Sequence, residues 1–174
     1  DLTLGGATAA APIFEFKYAP TRTVGGVEHP GPSAWIARLS PATAAPGEKV
    51  TLSVTAKMAD GYHTFAIDQD RRNFGLPTVI TEMSLSGLKH LDPPGSFKPS
   101  RKAELHEFSG KVQRIHHDEV TWTRDYVVTD ADTTSGYGIS GKVSFQICDA
   151  NSCRPGRFSF QLGAVSDPPP ASEP

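Results

Sequence analysis

Apolar and polar residues alternate along much of this chain with a period of two, the spacing of a half-buried β-strand rather than of a helix. The clearest run is residues 49–56, where Val50, Leu52, Val54 and Ala56 share one face. Pro46-Gly47 and Asp60-Gly61 mark turns on either side of it. Similar runs predict strands at 14–18, 35–39, 62–67, within 76–85, at 139–147 and at 157–162. Residues 110–115 and 120–128 read as a hairpin around His116-His117-Asp118-Glu119, and the Gly- and Pro-rich stretches 21–33 and 92–99 read as loops. The sequence has no internal repeat and no amphipathic helix longer than two turns. This pattern predicts an all-β fold, an immunoglobulin-like β-sandwich with long Pro/Gly-rich loops.

Composition sharpens that picture. The 174 residues fit one domain with a real core, and 16 glycines with 15 prolines supply the many turns an all-β fold needs. The expected domain is 12–165, preceded by a flexible Ala/Gly/Thr-rich segment 1–11 and followed by a Pro-rich linker or tail 166–174 that contains Pro168-Pro169-Pro170. A net charge of −2 offers no basic footprint for nucleic acid. No stretch approaches the roughly 18 apolar residues that span a bilayer. The chain opens on Asp1 without a basic-then-apolar leader, as a mature secreted domain would and as a cytosolic protein also would.

The chemistry concentrates in the only two cysteines, Cys148 and Cys153, which follow the alternating run 143–147 with four residues between them. Two cysteines and no others are compatible with an oxidising compartment. A ring that small, if bonded, stabilises a fold by only roughly 2 kcal/mol. A disulfide at a strand end, reachable by a partner thiolate, is therefore the first expectation, and a small structural bridge pinning a hairpin is the other. Metal ligation needs more ligands than two cysteines provide. His116 and His117, as strand neighbours, point to opposite faces and read as a solvated turn rather than a chelating pair. Trp35 and Trp122 read as core or interface packing. No Ser/His/Asp set, phosphate loop or paired catalytic carboxylates can be identified from spacing.

Three separated pieces resemble one family. Val143-Ser144-Phe145-Gln146-Ile147-Cys148 through Cys153-Arg154-Pro155 resembles the active-site strand and loop of the amino-terminal periplasmic domain of the thiol:disulfide interchange protein DsbD. His106-Glu107-Phe108-Ser109-Gly110-Lys111 looks like that domain's cap loop, and Pro46-Gly47 through Asp60-Gly61-Tyr62-His63-Thr64-Phe65 looks like its strand-turn-strand. The resemblance covers about residues 35 to 164. The chain departs from the pattern in having one residue fewer between the cysteines, His106 in place of an acidic residue, and His63 and Phe65 where tyrosines are familiar.

The resemblance implies an immunoglobulin-like fold and an electron-relay role without a cofactor or metal. A thioredoxin-like domain would donate electrons and periplasmic disulfide oxidoreductases would accept them, with a place in cytochrome c biogenesis. The domain would be periplasmic or otherwise extracytoplasmic, monomeric, and fused to a membrane domain beyond the carboxyl terminus. Cys153 would be the exposed nucleophile and Cys148 its resolving partner. Phe108 would shield them and swing aside on docking, with Gly110 giving the cap backbone freedom. Glu107 would raise a thiol pKa and His63, when protonated, would lower it. Alternation puts His63 and Phe65 on one face and Tyr62 and Thr64 on the other, and the family match turns the first pair toward the cysteines. The competing functions are a non-catalytic immunoglobulin-like interaction domain and an extracytoplasmic metal-handling domain using both cysteines and a histidine.

Overall fold

The computed structural model describes residues 12–93, 96–129 and 136–165; the expected flexible amino-terminal segment and Pro-rich tail lie outside the described residues. The strands are β1 (Phe14–Tyr18), β2 (Thr21–Val24), β3 (Val27–Pro30), β4 (Ser33–Ser40), β5 (Lys49–Met58), β6 (His63–Phe65) and β7 (Val79–Ser86). They continue as β8 (Leu88–His90), β9 (Lys98–Pro99), β10 (Glu104–Phe108), β11 (Lys111–His117), β12 (Glu119–Val128), β13 (Gly138–Cys148) and β14 (Cys153–Gly163). A single 3-10 turn, Arg71–Asn73, is the one helical element among the described residues.

Two antiparallel sheets form a sandwich. The first runs β1-β4-β5-β12-β8, with β9 also on β12; the second runs β10-β11-β6-β13-β14, with β7 also on β13. Strand β13 organises the second sheet. Its whole length pairs with β14, while its other side pairs with β7 from Gly138 to Ser144 and with β6 at Ile147 and Cys148. This puts the end of β13, where the first cysteine sits, between β6 and β14.

The alternation on β5 works as read: Val50, Leu52, Val54 and Ala56 are fully buried. Trp35 and Trp122 face each other from the first sheet with ring centroids 6.0 Å apart, and Trp35 stacks on Phe145 of the second at 4.3 Å. The core also holds a charged knot. Arg124 on β12 donates to Glu82 on β7 at 2.7 Å, and Tyr126 and His90 also bond that carboxylate. Arg124 is 5% exposed, so breaking this pair costs far more than breaking one at the surface.

Two local expectations change. Residues 21–33 do not form a plain loop: β2 and β3 pair into an exposed hairpin of their own. Residues 110–128 are not one hairpin either, because β11 belongs to the second sheet and β12 to the first. The chain changes sheets at Asp118, whose φ is 63. The real hairpin is β10–β11, turned at Ser109 and Gly110 with φ of 49 and 76, the positive pair that a tight primed turn requires. His116 is correspondingly not in a solvated turn; it is 2% exposed and meets Trp122 edge to face at 5.7 Å.

Candidate redox site

The two cysteines face each other as the last cross-strand pair of β13 and β14 and are joined as a disulfide. The four residues between them form a tight loop that Asp149 organises. Its carboxylate accepts from the backbone N–H of Asn151 at 2.8 Å and of Ser152 at 2.7 Å, while its own N–H donates to the Ser152 carbonyl at 2.9 Å. Those bonds hold the Asp149 carboxyl below the ordinary aspartate range. Asp149 is a residue the sequence reading did not single out, although an Asp two positions before an Asn in a short loop is a turn signal.

The sulfurs are not equivalent. Cys148 is 1% exposed and clusters with Phe65 and Ile115, whereas Cys153 is exposed. A cleft of about 440 Å³ opens beside them, walled by His63, Phe65, Phe74, His106, Phe108 and Gln113 together with the cysteine loop. Strand β6 places His63 directly opposite Cys148 on one side and opposite His117 of β11 on the other. Alternation does the rest. His63 and Phe65 face the cleft, Thr64 is buried on the other face with its hydroxyl donating to the Gln146 carbonyl at 2.7 Å, and Tyr62 lies in a separate groove behind the loop with Ile147, Asp149 and Ser152.

On β10 the same parity brings His106 and Phe108 into the cleft and leaves Glu107 on the other side of the hairpin, cross-strand from Val112. Glu107 therefore does not line the cleft with the cysteines, and the residue whose ring approaches His63 is His106, at 6.0 Å. Gly110 sits in the hairpin turn outside the cleft.

Phe74 is a cleft residue that the sequence reading missed. Asp70 caps the 3-10 turn by accepting from the Arg72 N–H at 2.9 Å. Asn73 then ties the turn to β11 through its side-chain N–H to the Val112 carbonyl at 2.8 Å, and Gln113 donates back to the Asn73 carbonyl at 3.1 Å. Phe74, in the left-handed region at φ 64, is thereby swung across to Phe108.

Burial pushes the His63 ring below its ordinary value; His106 and His117 push it the same way, against Asp149. His117 is itself paired with Glu104 at 3.0 Å. Among the described residues, no three His, Cys, Asp or Glu side chains are arranged to hold a metal ion, and no helix is long and apolar enough to cross a membrane.

No family model matches the chain, and no curated protein matches it in sequence. Among solved structures, the crystal structure of the N-terminal periplasmic domain of ScsB from Proteus mirabilis matches with a TM-score of 0.52 and 16% identity, over 84% of this chain and 52% of that one. The reduced form of the Neisseria meningitidis DsbD n-terminal domain matches with a TM-score of 0.42 and 18% identity, over 75% of this chain and 86% of that one. The yeast GGA1 GAE domain matches with a TM-score of 0.38 and 9% identity, over 86% of this chain and 100% of that one. This chain spans about half the length of the ScsB structure. At such identities the likeness is one of fold. In fold the chain is similar to the ScsB N-terminal periplasmic domain, and its disulfide lies at the strand end where the sequence resemblance to the DsbD amino-terminal domain puts a cysteine pair.

Proposed function

We propose that this chain is an extracytoplasmic thiol–disulfide relay domain, which takes two electrons from a thioredoxin-like domain and passes them to periplasmic disulfide oxidoreductases through Cys148 and Cys153. The observation that carries this reading is the unequal disulfide: Cys153 is exposed beside an aromatic-walled cleft and Cys148 is buried behind it. Exchange needs an accessible sulfur and a leaving thiolate. In the loading direction a donor thiolate attacks Cys153 Sγ and the electron pair of the broken S–S bond leaves on Cys148. The second donor thiolate then attacks the donor sulfur of the mixed disulfide, releasing Cys153 as a thiolate; the donor leaves oxidised and the domain holds two thiols. Unloading onto an acceptor disulfide runs the same steps in reverse, with Cys153 attacking and Cys148 resolving.

Phe108 and Phe74 shield the cysteine loop between encounters, and the β10–β11 turn at Gly110 lets the cap move when a partner docks. The likeness to a domain described as periplasmic supports the compartment. A fusion to a membrane domain beyond the Pro-rich residues 166–174 belongs to the same proposal. A single open sulfur suits a monomer that meets its partners one at a time.

The test is the equilibrium potential of the cysteine pair, read by thiol trapping in glutathione or dithiothreitol buffers. The expected value lies between about −120 and −270 mV, the span of exchange proteins. A value below about −300 mV marks a structural bridge and replaces the relay by an immunoglobulin-like interaction domain.

A further inference from the structure

The buried half of the disulfide poses a chemical problem of its own. In the disulfide Cys148 is 1% exposed and clusters with Phe65 and Ile115, and apolar surroundings favour the protonated, unreactive form of the thiol that reduction would leave there. To close the disulfide it must lose that proton inside the protein. The titratable side chains of the cleft are few. Asp149 is committed to two backbone N–H groups and is a weak base. His106 belongs to β10, three strands from Cys148 in the sheet order. His63 is the direct cross-strand neighbour of Cys148, and such pairs bring their Cβ atoms within about 4.5–5.5 Å on one face.

We propose that His63 is the base that takes the proton from Cys148 Sγ as this thiol closes the disulfide, an inference that rests on the relay reading. In the mixed disulfide between Cys153 and an acceptor, His63 accepts the Cys148 proton and the freed thiolate attacks Cys153 Sγ. The Cys148–Cys153 bond forms, the bond from Cys153 to the acceptor breaks, and its electron pair leaves on the acceptor sulfur. That thiolate is protonated by the imidazolium or by solvent, which returns His63 to its neutral state.

The surroundings of His63 suit the task. His106 approaches from β10 at 6.0 Å, and His117 sits opposite on β11, itself bonded to Glu104 at 3.0 Å and 3.7 Å from Asp118. Asp149 adds a weaker opposing charge from the cysteine loop. Burial and the two flanking histidines lower the His63 pKa from its ordinary value.

The experiment follows the reduced protein with 5,5′-dithiobis(2-nitrobenzoate) in a stopped-flow instrument. A first equivalent of thionitrobenzoate is released by attack of the open cysteine, and a second, independent of reagent concentration, by Cys148 closing the ring. In the unsubstituted protein the closure rate is expected to be level at neutral pH and to fall on an acid limb. His63→Gln is expected to slow closure by about tenfold or more at neutral pH and to make it climb with pH toward the ionisation of the thiol itself. His106→Gln leaves the base in place, removes a repelling neighbour, and is expected to move the acid limb to higher pH. A His63→Gln profile that overlays the unsubstituted one, or an acid limb that ignores His106→Gln, overturns the inference. Closure needs no protein partner, so a potential outside the relay range with His63-dependent closure sinks the relay reading alone.

Discussion

Phe108 of β10 and Phe74 meet edge to face with ring centroids 6.2 Å apart, Phe74 following a 3-10 turn that Asn73 and Gln113 tie to β11, the hairpin partner of β10. Both rings line the cleft beside Cys153, and each is about half exposed, 49% and 58%. An edge-to-face pair contributes about 0.5–1.5 kcal/mol beyond area burial. Phe74→Ala is therefore expected to raise the rate of Cys153 attack by a small thiol about two- to tenfold, and Phe108→Ala to do the same. The potential stays unchanged in both variants. A rate unmoved in both, measured with dithiothreitol under pseudo-first-order conditions, removes the shielding role.

Glu82 joins the two sheets. It accepts from Arg124 at 2.7 Å and from Tyr126, and pairs with His90. Glu82→Ala leaves a buried guanidinium without its counter-charge and is expected to destabilise the fold by about 3–5 kcal/mol. Replacing Glu82 and Arg124 together by Leu is expected to recover most of that loss. Urea denaturation of the two variants decides it, and a double variant as weak as the single one contradicts the account.

Gly75 packs against the ring that supports the buried cysteine. A Cβ there would lie 2.4 Å from the nearest carbon of Phe65, and Phe65 clusters with Cys148. Gly75→Ala is expected to cost about 1–3 kcal/mol and to alter Cys148 reactivity, because the ring it displaces packs on Cys148 and lines the cleft. Chemical denaturation and the closure rate of the disulfide report the two effects separately.

His116 sets a pH dependence. Burial lowers its pKa from the ordinary 6.5, with Arg101 and Arg114 adding in the same direction. The unfolded chain then binds a proton at higher pH than the folded one. Stability is thus fully present above 6.5 and falls as pH drops toward the depressed folded value. His63 contributes with the same sign. A pH series of thermal midpoints is expected to show this decline, and His116→Leu to flatten part of it.

The sandwich was legible because burial leaves a period in the sequence, and β5 with its four inward apolar residues is the plainest case. Elements without that signature escaped. Strands β2 and β3 are exposed throughout, so nothing but the Gly25-Gly26 turn marks them, and their glycines and prolines read as loop. The false hairpin at 110–128 had the right strands but the wrong turn: two adjacent apolar runs say nothing about which sheet each joins. At the site, alternation put His63 and Phe65 on one face, and the family resemblance, not the spacing, turned that face toward the cysteines. Glu107 lies away from the cleft, because a motif gives residue order without the parity of the strand that carries it. Phe74 was invisible for a different reason. Its position depends on a 3-10 turn held by bonds to residues some forty positions away.

The unequal burial of the two sulfurs has a kinetic corollary. With Cys148 sealed and Cys153 open at one sheet edge, any two proteins that engage this disulfide compete for the same atom. In the proposed relay, occupancy by one partner therefore excludes the other, and each visitor must leave before the next can reach the sulfur.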